Sequence, residues 1–168
     1  VNARHARRAQ DYGCDAVIAT GNEAAAHGEA LTTMVLIPSL KDALKIPVIA
    51  AGGVVDGRGL AAALALGAEG VAMGTRFMTT KESPLHETYK KLSIEKDVTD
   101  TLYSKRFDGI WCRVMKTDAA ERAIKRGLNI PASFVNSKDI ARQLNLPYFK
   151  VLAGVLASGF KNAIQMAY

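Results

Sequence analysis

Pro47-Val48-Ile49-Ala50-Ala51-Gly52-Gly53 and, one helix-length later, Gly70-Val71-Ala72-Met73-Gly74-Thr75-Arg76-Phe77 decide how this chain folds. Each is a short, continuous apolar run that ends in glycine, the pattern of a parallel strand covered on both faces and closed by a tight loop. Upstream, Asp15-Ala16-Val17-Ile18-Ala19-Thr20, closed by Gly21, is a third strand of the same kind. Apolar spacing predicts helices over Ala3 to Gly13, Thr33 to Leu44 and Asp56 to Leu66, with Gly13 and Gly67 as stop residues. Pro38 lies early in the second helix and threatens to interrupt it.

The order is therefore αβ, αβ, αβ, with strand starts roughly thirty and then twenty residues apart, as parallel βα units require. The fold class is α/β, a barrel or a doubly wound sheet. Three strands cannot close a barrel, and a (β/α)₈ barrel takes about 250 residues. The 168 residues are thus expected to be the last part of a longer barrel protein. Past Phe77 the pattern is helical only: Ser83 to Ile94, Asp118 to Lys125, Ser137 to Leu144 and Val151 to Met166, with no convincing strand and nothing decisive between Thr99 and Met115. Two regions follow, barrel units over 1–85 and a mainly helical segment over 86–168 that packs on the barrel or forms a lid.

The glycine loops carry the first chemical signal. Without a Cβ, Gly52, Gly53 and Gly74 can turn their N–H groups toward an anion, and any helix that starts just beyond adds its own unpaired N–H groups. Single glycines at strand ends are often plain turns. Two such loops side by side at the C-terminal edge of a parallel sheet form a phosphate grip.

Composition narrows the partners. About half of the chain is apolar (49%), enough for one core, and no stretch is long and apolar enough to span a bilayer. Cys14 and Cys112 match no metal or disulfide spacing, and no secretory leader is evident, so a reducing cytoplasm is expected. The formal charge is +6, and all of the excess lies beyond Leu85, with fourteen basic and eight acidic residues after it and eight of each before. Those charges scatter over helices without interleaved aromatics, which argues against nucleic acid and for solvated helix faces, or for a patch that meets an acidic partner.

His27, in Gly21-Asn22-Glu23-Ala24-Ala25-Ala26-His27-Gly28, follows a strand end and so falls on the loop side of the sheet. An imidazole there is suited to moving a proton on a carbon acid. His5 and His86 lie on predicted helices and lack that placement.

Taken together, Gly21-x-Glu23-Ala24-x-x-His27-Gly28, Pro47 to Gly53 and Ala63-Leu64-x-Leu66-Gly67-Ala68-x-Gly70-Val71-x-Met73-Gly74-Thr75-Arg76-Phe77 resemble the nitronate monooxygenase family, formerly the 2-nitropropane dioxygenases. The FMN-dependent enoyl-acyl carrier protein reductases share the pattern. The resemblance covers roughly residues 1 to 90. It implies a TIM barrel with non-covalent FMN, in which the three strands are the sixth, seventh and eighth. It makes His27 the base that deprotonates a nitroalkane or sits beside the nitronate. Ala51, Gly52 and Gly53 would hold the flavin phosphate after the seventh strand, Gly74 and Thr75 after the eighth, and Met73 would stand beside the cofactor. Substrate and co-substrate would be an alkyl nitronate and dioxygen, with a homo-oligomer left open. Where the family usually has two glycines before the histidine, this chain has Ala25 and Ala26. The alternatives are an enoyl-thioester reductase that uses NAD(P)H, and an inactive barrel fragment that binds phosphate ligands or a partner.

Overall fold

The computed structural model describes residues 2–28, 30–107, 109–125, 138, 141–142 and 145–157. In chain order the elements are α1 (Ala3–Asp11), β1 (Val17–Thr20), β2 (Ala26–His27), α2 (Thr33–Ala43), β3 (Val48–Ala51), α3 (Gly57–Ala65), β4 (Gly70–Ala72), α4 (Thr75–Met78), α5 (Glu87–Glu95), β5 (Thr101–Ser104), β6 (Cys112–Met115), α6 (Asp118–Lys125) and α7 (Tyr148–Ala157). The α/β class and the three expected strands are present.

Local chemistry explains the helix ends. Asn2 caps α1 by accepting the His5 N–H at 3.0 Å, and Asp56 caps α3 by accepting the Arg58 N–H at 2.9 Å. α1 ends in a paired bond, Gly13 N–H to Gln10 O and Cys14 N–H to Ala9 O, and α3 ends in its equivalent, Gly67 N–H to Leu64 O and Ala68 N–H to Ala63 O. Pro38 does not interrupt α2, which runs unbroken over it. The carbonyl that loses its bond to the missing proline N–H belongs to Met34, an exposed residue, so water can take the vacated place.

β1, β3 and β4 form one parallel sheet in that order, with Val17 opposite Val48, Thr20 opposite Ala51 and Ala51 opposite Ala72. Alternate strand residues face one side: Val17, Ala19, Val48 and Ala50 are buried with Leu36, Ile37 and Leu40 of α2, Ala6 of α1 and Ala63 of α3. Side chains at 36, 37 and 40 share one helix face, which is how α2 supplies most of the bulk of that core. The continuous apolar runs call for two covered faces, and here the structure differs. On the opposite face Ile18 is 57% exposed, Thr20 and Ile49 are half-buried and only Ala51 is buried, so that face is incompletely covered among the described residues.

Two further readings are corrected. Past Phe77 the chain does hold strands, β5 and β6, which join β2 in a second sheet of order β2-β6-β5. His27 therefore stands in a short strand and not in an open loop. Four-residue strands leave too little periodicity to compete with flanking helical pattern. Of the expected helices, Asp118 to Lys125 is present as read and Ser83 to Ile94 starts later, at Glu87. Ser137 to Leu144 lies largely outside the described residues, as does Val151 to Met166 after Ala157.

The chain divides into two compact units, Val1–Thr101 with Arg113–Met115, and Leu102–Cys112 with Lys116–Tyr168. The first holds the parallel sheet and its helices. In the second, Tyr103 stacks on Trp111 with ring centroids 4.8 Å apart, Lys105 Nζ lies 5.4 Å from the Trp111 ring centre, and Arg106 donates to the Ile124 carbonyl at 2.8 Å. Among the described residues no helix is long and apolar enough to cross a membrane.

Leu40 has no exposed surface, so Leu40→Ala is expected to lower unfolding free energy by about 2–5 kcal/mol in urea titrations, through lost transfer energy and a residual cavity. Asp56 gives a pH-dependent test. Its carboxylate binds the Arg58 side chain at 2.7 and 3.1 Å as well as the Arg58 N–H, and these bonds hold its pKa down at about 2. A depressed acid adds stability that is complete above its unfolded pKa near 3.8 and fades as pH falls toward 2. The thermal stability gap between wild type and Asp56→Asn is expected to be constant above about pH 5 and to narrow between pH 4 and 2.

Candidate functional site

Parallel register decides which candidate residues meet. The last paired row is Thr20, Ala51 and Ala72, so Gly52, Gly53, Met73, Gly74 and Thr75 all lie within three residues of one sheet edge. Ala51 is buried, Gly52 and Met73 half-buried, and Gly53, Gly74 and Thr75 exposed. These six are brought together. His27 is not in that sheet. It lies in β2, exposed, and the loop after Gly21 joins it to β1.

At the end of β3 the backbone enters the left-handed region twice in succession, with φ of 100° at Gly52 and 73° at Gly53. A side chain at Gly52 would press within 3.1 Å of Ala24 N and Gly21 O, and one at Gly53 within 3.2 Å of Glu23 Cβ. Both positions need glycine for conformation and for space. Gly74 has open space where a Cβ would stand. The first bond of α4 runs from Met78 N–H to Gly74 O at 2.9 Å, which leaves the N–H groups of Thr75, Arg76 and Phe77 without an intrahelical acceptor. A glycine turn at positive φ beside first-turn N–H groups that lack an intrahelical acceptor, with open space at Gly74, is an arrangement that can take an anion the size of a phosphate.

The loop from β1 to β2 is tied down by residues whose roles spacing alone did not reveal. Glu23 accepts the Thr33 N–H with both carboxylate oxygens, at 3.0 and 2.9 Å, and its Oε2 lies 3.0 Å from Thr33 Oγ1. The formal N-cap of α2, Thr32, makes no side-chain cap bond. Glu23 serves instead, where a carboxylate also meets the positive end of the helix. Gly21 makes room: a Cβ there would strike Thr33 Oγ1, Glu23 Oε2 and Thr33 N. Gly28, next to His27, folds back so that a Cβ would come within 2.9 Å of Gly21 O and 3.0 Å of Asn22 Cα. From β6, Arg113 donates Nε to the Asn22 carbonyl at 3.0 Å and Nη1 to Thr101 Oγ1 at 2.9 Å. The readable signal was the pair Gly21-x-Glu23, a close-approach glycine two residues before an acid. Arg113 left no sequence signal. Among the described residues no three His, Cys, Asp or Glu side chains converge as for a metal ion.

Comparison with known proteins adds the family. The nitronate monooxygenase family model matches residues 1–163. The chain is 49% identical, over 116 residues, to (3aS,4S,5R,7aS)-5-hydroxy-7a-methyl-1-oxo-octahydro-1H-indene-4-carboxyl-CoA dehydrogenase of Rhodococcus jostii, a match that covers 69% of this chain and 33% of that protein. Among solved structures, FabK from Thermotoga maritima superposes with a TM-score of 0.74 at 39% identity, over 84% of this chain and 47% of FabK. Nitroalkane oxidase from Streptomyces ansochromogenes gives a TM-score of 0.64 at 30% identity, over 73% and 38%. The chain spans about a third of the length of the curated relatives it matches.

Proposed function

The chain belongs to the nitronate monooxygenase family, and from that premise we propose that it is the C-terminal part of an FMN-dependent TIM barrel that oxidises alkyl nitronates with dioxygen. The observation that carries this reading is the Gly52–Gly53 turn beside Gly74 and the unpaired first-turn N–H groups of α4, all at one edge of a parallel sheet. In the proposed barrel, β1, β3 and β4 are the sixth, seventh and eighth strands. The incompletely covered face that carries Ile18 turns to the interior, where strands outside this chain complete it. Residues 1–85 supply the barrel units, and 86–168 pack on the barrel or form a lid.

Ala51, Gly52 and Gly53 on one loop, with Gly74 and Thr75 on the next, would hold the flavin phosphate. The Thr75 hydroxyl adds a donor, and Met73 would lie beside the cofactor. When bound, the flavin supplies the electron acceptor and the route to dioxygen. The chain itself contributes the grip and the proton transfer. His27 would take the α-proton of a neutral nitroalkane onto a ring nitrogen, and the C–H electron pair would stay on the substrate as the nitronate.

A second reading is favoured by the 49% identity to a carboxyl-CoA dehydrogenase: oxidation or reduction of an acyl thioester, with NAD(P)H as electron donor in the enoyl-reductase form. A nitroalkane and an acyl thioester are both carbon acids activated by a neighbouring electron-withdrawing group, so one site geometry serves either. Steady-state assays of the complete gene product separate them. Oxygen uptake with propyl-2-nitronate in the absence of NAD(P)H supports the first reading, and NAD(P)H consumption that depends on a crotonyl thioester supports the second.

His27→Ala is expected to slow turnover of the neutral nitroalkane by about a hundredfold or more while it leaves pre-formed nitronate nearly unaffected, since only the former needs a base. Equal losses on both substrates would remove the base assignment. Gly53→Val places a branched residue at positive φ and against Glu23, and is expected to empty the flavin site. Stoichiometric flavin released from the denatured variant would refute the phosphate-loop reading.

A further inference from the structure

We propose that Thr33, braced by Glu23, is a positioning residue that aims the Gly53 N–H at the cofactor phosphate, an inference that rests on the phosphate-loop reading above. Thr33 opens α2 and is 9% exposed. Three acceptors surround its hydroxyl: Glu23 Oε2 at 3.0 Å, Gly52 O at 3.0 Å and Ala51 O at 3.3 Å. A hydroxyl has a single proton to give. Two of the three acceptors are served from elsewhere. The Glu23 carboxylate receives the Thr33 N–H, and Ala51 O receives the Gly21 N–H at 3.0 Å. Gly52 O has no second donor among the described residues. Gly52 is half-buried and the Thr33 hydroxyl is the one protein donor to its carbonyl among the described residues, so the proton is assigned to that oxygen.

The consequence follows from the peptide plane. The Gly52–Gly53 bond is trans, and in a trans peptide the carbonyl and the following N–H point in opposite directions. With Gly52 O turned inward to Thr33 at the start of α2, the Gly53 N–H turns outward, on the exposed side of the turn. At φ of 100° and 73° two consecutive glycines have wide freedom, and the plane between them would otherwise flip at little cost. Thr33 supplies the constraint that the glycines lack. Glu23 holds Thr33 in place through its backbone N–H, which leaves the hydroxyl for the loop. Gly21 provides the space that this packing needs.

The test compares two ligands that differ only in the phosphate. FMN and riboflavin are titrated against the flavin-free complete gene product, with flavin fluorescence as the readout, in wild type, Thr33→Val and Thr33→Ser. Thr33→Val keeps the shape and the N–H and removes the donor. It is expected to weaken FMN binding about tenfold, the scale of one lost hydrogen bond, while riboflavin binding changes less than about twofold. Thr33→Ser is expected to restore the wild-type preference. Equal weakening of both ligands would make Thr33 merely structural, and unchanged FMN binding would remove its role; either result overturns the inference. If wild type itself shows no preference for FMN over riboflavin, the phosphate-loop reading fails and the inference falls with it, a result separable from a Thr33-specific failure. Should Thr33→Val not fold, Thr33→Ala is read by the same ratio with the same outcomes.

Discussion

Parallel pairing of β1, β3 and β4 is the constraint on which the rest depends. Strands that run in one direction must be joined by crossovers, here α2 and α3, so all three end at the same edge. The register then decides how close their loops come. Because Thr20, Ala51 and Ala72 share a row, Gly52–Gly53 and Gly74 lie level without any direct bond between them. A one-residue slip would turn Val48 and Ala50 away from Leu36, Ile37 and Leu40, so the buried face of the sheet also holds the glycine edge in place.

An edge made of glycine backbone is well suited to approach by an anion and poorly suited to keeping its own shape. The structure compensates from beneath. Glu23 reaches across the β1 loop to the first N–H of α2, and the same helix start offers a hydroxyl to the carbonyl at the glycine turn. Two short polar contacts at Thr33 thus join three segments: the loop after β1, the start of α2 and the end of β3. Burial strengthens them, since Thr33 is nearly covered.

The legible parts of the fold were those with local causes. Asp56 before an alanine-rich helix, Gly13 and Gly67 after helix ends, and apolar runs closed by glycine each act within a few residues, so the three parallel strands and the helices α1, α2 and α3 were open to reading, whereas the two-residue β2 and the short α4 were not. Nor were the strands β5 and β6. Thr101-Leu102-Tyr103-Ser104 and Cys112-Arg113-Val114-Met115 owe their form to pairing with each other and with β2, a long-range cause that four residues cannot display. The site divides in the same way. Glycines at strand ends marked the phosphate edge, whereas the tie from Arg113 to the Asn22 carbonyl spans ninety-one positions and left no pattern to find.

That division also separates the glycine edge from His27. On the proposed function, the phosphate edge grips a part of the cofactor that is the same whatever the substrate, and it is built from the parallel sheet. His27 stands in the other sheet, whose member β6 reaches the β1 loop through Arg113. Gly21 and Gly28, at the two ends of that loop, are packed too closely for a side chain, so neither end tolerates a larger residue.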